Sequence, residues 1–168
     1  MKLVCFDWGD TLMRVFPEEE GPMATWSRVE AMPGAVAALE ALAGRYRLAV
    51  LTSGGDSTEA QVRAALGRVG LGSYFEAVIL SRDMGLAKSD PAFYRQALAA
   101  LGCPAEEAVM VGDSYVNDIA PAKRAGMRAV LYLTGPDQAG SPETSPGGSS
   151  PDAVVTDLAE LPRILAGW

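Results

Sequence analysis

Histidine does not occur anywhere in the 168 residues. That absence removes serine–histidine triads, imidazole general bases and histidine metal ligands at once. Any acid–base or metal chemistry has to use carboxylates. Cysteine is nearly absent too. Cys5 lies in an apolar run and Cys103 is its sole companion, which reads as buried free thiol rather than disulfide. No uninterrupted apolar stretch approaches the ~18 residues of a membrane span, so no membrane partner is expected. The first residues also lack the basic start, apolar run and small-residue cleavage site of a secretory leader. These features fit a cytoplasmic protein. Basic side chains are scarce as well: 14 Lys and Arg stand against 21 Asp and Glu, for a net charge of −7. Such a surface disfavours nucleic acid, whose phosphates are met largely by Lys and Arg. It leaves room for a local basic pocket.

What is present reads as one globular domain. Apolar residues make up 49% and charged residues 21%, enough to build and solubilise a sizeable core. Short apolar runs at 2–7, 48–51, 74–80, 109–111, 129–133 and 153–155 read as strands. Between them, 33–43, a segment from an Asp56 or Ser57 cap to about Val69, 90–101, 117–125 and 158–165 read as helices. Strands alternating with helices predict an α/β fold of the doubly wound, Rossmann-like kind, with a mostly parallel sheet covered on both faces. Residues 13–32 fit neither pattern. Met13, Val15, Phe16, Met23 and Trp26 would let that stretch fold over something, so it reads as a flap beside a site. Residues 134–151, rich in Gly, Pro and Ser, read as a flexible exposed loop.

Two strand-like runs end in acid. Leu3 to Phe6 leads into Asp7, and Val109 to Val111 leads through Gly112 into Asp113, with Asp118 following. Open parallel sheets bind ligands at the carboxyl ends of their strands. Carboxylates from distant parts of the chain could therefore share one cation there.

The motifs FDWGDTL (6–12), LTSG (51–54), the Lys of GLAKSDP (85–91) and VGDSYVND (111–118) come in an order that resembles the haloacid dehalogenase superfamily. The resemblance extends to AKRAGM (122–127) and DAVVTDLAELPRIL (152–165), and so covers nearly the whole chain. It implies a Mg²⁺-dependent phosphohydrolase. In that reading Asp7 attacks phosphorus and forms an aspartyl-phosphate that water hydrolyses. Asp7, Asp113 and the Gly9 carbonyl hold Mg²⁺, and Asp118 supports that shell. Thr52, Ser53 and Gly54 cradle the phosphoryl oxygens, and Lys88 neutralises them. Blander roles stay open: a turn cap for Asp7, turn chemistry for Thr52, a solvated lysine for Lys88, helix-start acids for Asp113 and Asp118. Trp8 and Tyr115 read as packing residues, and Glu18, Glu19 and Glu20 as a solvated face.

One position departs from the family pattern. A general acid belongs two residues after the nucleophile, where this chain has Gly9, and the nearest acid is Asp10. Asp10 is thus a candidate catalytic residue, one step beyond the usual position. Two alternatives follow from the departure: a low-turnover module that binds phosphate and Mg²⁺, or a carbon–halogen hydrolase of the dehalogenase branch. Neither 13–32 nor the stretch between Thr52 and Lys88 leaves room for a large cap domain. The expected partners are a phosphorylated substrate of unspecified identity and a second copy of the chain that covers the open site.

Overall fold

The computed structural model describes residues 1–135 and 150–168. The expected loop at 134–151 therefore lies almost wholly outside the described residues. Six strands form one sheet: β1 (Leu3–Phe6), β2 (Arg47–Thr52), β3 (Ala77–Leu80), β4 (Ala108–Gly112), β5 (Arg128–Tyr132) and β6 (Ala153–Val155). Their order is β3-β2-β1-β4-β5-β6, and every pairing is parallel. From β1 the chain winds outward through β2 and β3. It then returns to the centre at β4 and winds the other way. The crevice between the ends of β1 and β4 is thus the topological switch point, where such sheets bind ligands.

Alternation along the central strands sends side chains to two cores. Val4, Phe6, Val50, Val109 and Val111 face one layer, built from α1 (Ala35–Leu42), α2 (Glu59–Arg68) and α5 (Leu161–Leu165). Leu3, Cys5, Ala49, Leu51 and Met110 face the other, built from α3 (Pro91–Ala100) and α4 (Ala120–Arg124). Strands buried on both faces read as continuous apolar runs, which is why they were visible in the sequence.

Helix starts follow local chemistry. Asp90 caps α3 by accepting the Ala92 amide at 2.8 Å, and Pro91 occupies the first turn, where it gives up no bond. The α2 cap is neither Asp56 nor Ser57 but Thr58. Its hydroxyl accepts the Gln61 amide while the Gln61 side chain accepts the Thr58 amide at 2.8 Å. Ser57 is instead buried in the preceding turn. The strand expected from Tyr74 begins only at Ala77, because Gly72–Tyr74 closes a 3-10 turn first. The helix expected from Asn117 begins with a wide π turn over Tyr115–Ile119.

Residues 7–34 carry no regular element beyond a single 3-10 turn at Met23–Thr25, and no cap domain stands there. Met13, Phe16, Met23 and Trp26 are buried, and Arg68 of α2 donates to the carbonyl oxygens of Trp26 (2.7 Å) and Ala24 (3.2 Å). The excursion is therefore clamped to α2. No described helix is long and apolar enough to cross a membrane.

Candidate active site

Asp7 is the first residue past β1, and its amide donates to Val111 O at 2.9 Å, locking it against the end of β4. Its carboxylate is nearly buried. Lys88, from the loop before α3, forms an ion pair with Asp7 Oδ1, and Thr11 Oγ1 lies 3.3 Å from Asp7 Oδ2 and 3.2 Å from Asp113 Oδ1. One hydroxyl hydrogen thus serves two carboxylates. Asp118 comes from the π turn, which swings its side chain back under Gly112. Asp118 Oδ2 accepts the Ser114 amide at 3.0 Å, and Oδ1 sits 2.5 Å from Lys88 Nζ. Gly112 is required by that approach, since a Cβ there would stand 2.5 Å from Asp118 Cβ.

Two cavities meet at Asp7 and Ser53. The smaller is bounded by Lys88, Asp113, Ser114, Asn117 and Asp118. The larger, about 680 Å³, runs between the 15–26 flap and the Thr52–Ser57 turn. Thr52 ends β2 and its Oγ1 accepts the Gly54 amide at 3.2 Å, while Gly54 takes a left-handed φ of 84° in contact with Leu80. Glycine answers both demands.

The structure brings Asp7, Thr52, Ser53, Gly54, Lys88, Asp113 and Asp118 to one sheet edge. Gly9 lies there too, but on the larger cavity rather than the smaller one that holds the other acids. Asp10 stands apart from this group. It lines neither cavity and holds a left-handed φ of 56°, and its Oδ1 accepts the Val15 amide at 2.8 Å. That carboxylate closes a turn. Glu19 and Glu20 line the larger cavity while Glu20 remains exposed and Glu19 half-exposed, and Trp8 packs as expected, 5% exposed. Thr11 was missed, although its four-residue spacing from Asp7 was a usable signal. Tyr94, whose hydroxyl donates to Asn117 O at 2.5 Å behind the site, was hidden in the apolar stripe of α3.

A family model described as haloacid dehalogenase-like hydrolase matches residues 9–126. The chain belongs to this family. A phosphoserine phosphatase of Thermus thermophilus is 40% identical to this haloacid dehalogenase-like hydrolase over 114 residues, 68% of the chain but only 42% of that enzyme. A crystal structure of an uncharacterized protein from Listeria monocytogenes serotype 4b superposes with a TM-score of 0.84 at 29% identity, covering 99% of this chain and 97% of that one. The 2-haloacid dehalogenase from Pseudomonas syringae pv. Tomato DC3000 gives a TM-score of 0.68 at 35% identity, over 84% of this chain and 55% of that one. Relatives thus include both a phosphatase and a dehalogenase, each much longer than this chain.

The electrostatics of the site are those of acids crowded in a buried pocket. Burial raises the Asp113 carboxyl to about 6, the Asp7 charge adds to the effect, and the Thr11 hydroxyl only partly offsets it. Burial and the Asp7 charge raise Asp118 to about 7 in spite of Lys88. Burial alone would lower Lys88, but Asp7 and Asp118 together outweigh it and hold the ammonium above its ordinary value. Carboxylate oxygens of Asp7, Asp113 and Asp118 all lie within 4.8 Å of one another. Asp118 Oδ1 is buried against Lys88. An all-oxygen set of three carboxylates with the Lys88 ammonium beside it could hold a hard divalent ion.

The sign of the resulting pH dependence is fixed. Without a cation, folded Asp113 and Asp118 keep protons up to pH 6–7 that the unfolded chain releases near its ordinary 3.8. Stability from this source is whole below about pH 4 and is lost as the pH rises through 7. A cation favours the ionised carboxylates, so its stabilising effect should grow with pH. Thermal melts with Mg²⁺ and with chelator should differ more at pH 8 than at pH 5. A gap that is equal at both pH values would count against the cation.

Proposed function

We propose that the chain is a Mg²⁺-dependent phosphohydrolase that cleaves a phosphate ester or acyl phosphate through an aspartyl-phosphate on Asp7. The observation that supports this best is the position of Asp7, fixed by Lys88 and Thr11, clustered with Asp113 and Asp118, and open to both cavities. A metal-free carbon–halogen hydrolase has little use for three clustered carboxylates. Phosphoryl transfer does, because a carboxylate attacking an anionic phosphoryl group needs its charge offset.

Asp7, Asp113 and Asp118 would hold Mg²⁺, with the Gly9 carbonyl as a further oxygen. When bound, the ion supplies charge neutralisation at the phosphoryl oxygens. Lys88 holds Asp7 ionised and adds a second positive charge. The Thr52–Gly54 turn offers a hydroxyl and backbone amides to the phosphoryl oxygens. An Asp7 oxygen bonds to phosphorus as the bond to the leaving oxygen breaks. Water then bonds to phosphorus as the Asp7 ester breaks, releasing inorganic phosphate.

With Gly9 in the acid position and Asp10 committed to its turn, the leaving oxygen departs without a well-placed proton donor. A positioned acid contributes ~10²–10⁴-fold, and more for a poor leaving group. Phosphate release should therefore need Mg²⁺ and favour aryl and acyl phosphates over alkyl phosphates by about 10² or more. Asp10→Asn should slow both classes equally. Brisk alkyl turnover that Asp10→Asn selectively removes would mean the turn opens and Asp10 is the acid. The second reading is a low-turnover phosphate- and Mg²⁺-binding module, which Gly9 favours. It predicts Mg²⁺-dependent melting with no release from any substrate.

A further inference from the structure

We infer that the larger cavity selects phosphorylated substrates whose leaving group is cationic or neutral, and rejects those whose leaving group carries a second anion. The inference rests on the phosphohydrolase reading and adds a substrate class to it. The cavity opens directly on Asp7 and Thr52. At about 680 Å³ it lies within the ~300–1,000 Å³ typical of small-molecule sites and far exceeds a phosphoryl group. The surplus must hold the leaving group.

Its charge is one-sided. Beyond Asp7, the described lining includes Glu19, Glu20 and Asp56, and it contains no Lys or Arg. The nearest guanidinium groups stand behind the wall, bonded to its carbonyl oxygens, and are not part of the lining. Arg68 binds the carbonyls of Ala24 and Trp26, Arg82 those of Gly55 and Ser57, and Arg28 pairs with Glu30 over the Phe16 ring. Hydrogen bonds from the Ser27 hydroxyl and the Arg28 amide hold Glu19 below the ordinary carboxylate range, with a smaller contribution from Arg68. Glu19 therefore stays charged at any working pH. The basic end of the site, Lys88, lies on the other cavity and is already paired with Asp7 and Asp118. No Lys or Arg among the described lining residues meets the leaving group directly, whereas three carboxylates besides Asp7 do. Trp8, Met23 and Trp26 add apolar surface to the wall.

Three meta-substituted phenyl phosphates of similar leaving-group reactivity test this: aminomethyl, hydroxymethyl and carboxymethyl. With Mg²⁺, kcat/KM should favour the aminomethyl over the carboxymethyl compound by about tenfold or more, the gap narrowing at high salt. In the triple variant Glu19→Gln, Glu20→Gln, Asp56→Asn the ratio should fall toward one. Release from the neutral compound, abolished by chelator and by Asp7→Asn, separately tests the phosphohydrolase reading. If none of the three is turned over, the matching benzylphosphonates are titrated against tryptophan fluorescence, and the aminomethyl compound should bind more tightly. Equal or reversed preference in whichever assay applies would overturn the inference, as would a ratio that neither salt nor the triple variant moves.

Discussion

Replacing Asp7 with Asn is expected to abolish phosphate release while leaving the fold as stable as before, or more so. The amide retains the shape but cannot attack phosphorus, so the loss should be at least about 10³-fold, on the scale of nucleophile deletions. Stability should move the other way. Three carboxylates share this pocket with one ammonium, and the Asp7 charge is one reason Asp113 and Asp118 resist ionisation. Removing that charge relaxes both, while Lys88 keeps Asp118 as its partner at 2.5 Å. Melting in chelator at pH 8 should thus show Asp7→Asn at or above the wild-type temperature. A variant that both melts lower and retains turnover would show that Asp7 is a structural cap.

Lys88→Met should cost the most stability of any single change at the site. The Lys88 side chain is 6% exposed and meets two acids that are 12% and 1% exposed. Removing one partner of a buried ion pair leaves uncompensated charge and typically costs ~3–5 kcal/mol. For a chain of this size that is roughly 6–20 °C in Tm. The loss should shrink at pH 5, where Asp118, raised to about 7, is already protonated and does not need the ammonium. Activity should fall with it by about 10²–10³-fold, as for a lost charge-stabilising donor. An equal loss of Tm at pH 5 and pH 8 would mean that Lys88 acts by packing its stem.

The strand ends were legible because buried parallel strands leave unbroken apolar runs, and each run here stops just before a residue of the candidate site: Phe6 before Asp7, Leu51 before Thr52, Val111 before Gly112 and Asp113. Boundaries failed where a reciprocal side-chain bond competes with a simpler cap, as Thr58 with Gln61 displaced the expected Asp56 or Ser57. Asp118 is assigned to the site by resemblance, since its position alone also fits an ordinary first-turn acid. Only the π turn and the bare Gly112 backbone reveal that it is folded inward. The flap was recognisable by having no period, and for the same reason its side chains could not be assigned directions. Glu19 and Glu20 therefore looked like surface charge. Asp10 shows the limit from the other side: one residue past the acid position in sequence, it is turned by its positive φ into a backbone bond.

The switch-point placement of the site also bears on the order of folding events. The Lys88–Asp7 contact spans 81 positions and the Thr11–Asp113 contact 102, so the pocket needs closure of very long loops. Such pairings form late and slow the search. The carboxylates repel until Lys88 and a cation join them, so the pocket contributes little to the folding transition state. Interactions that form after that barrier act on the return path. A cation bound here would leave the folding rate almost untouched and lengthen the native lifetime. Resistance to proteolysis would then follow the cation supply, even in molecules that never meet a substrate.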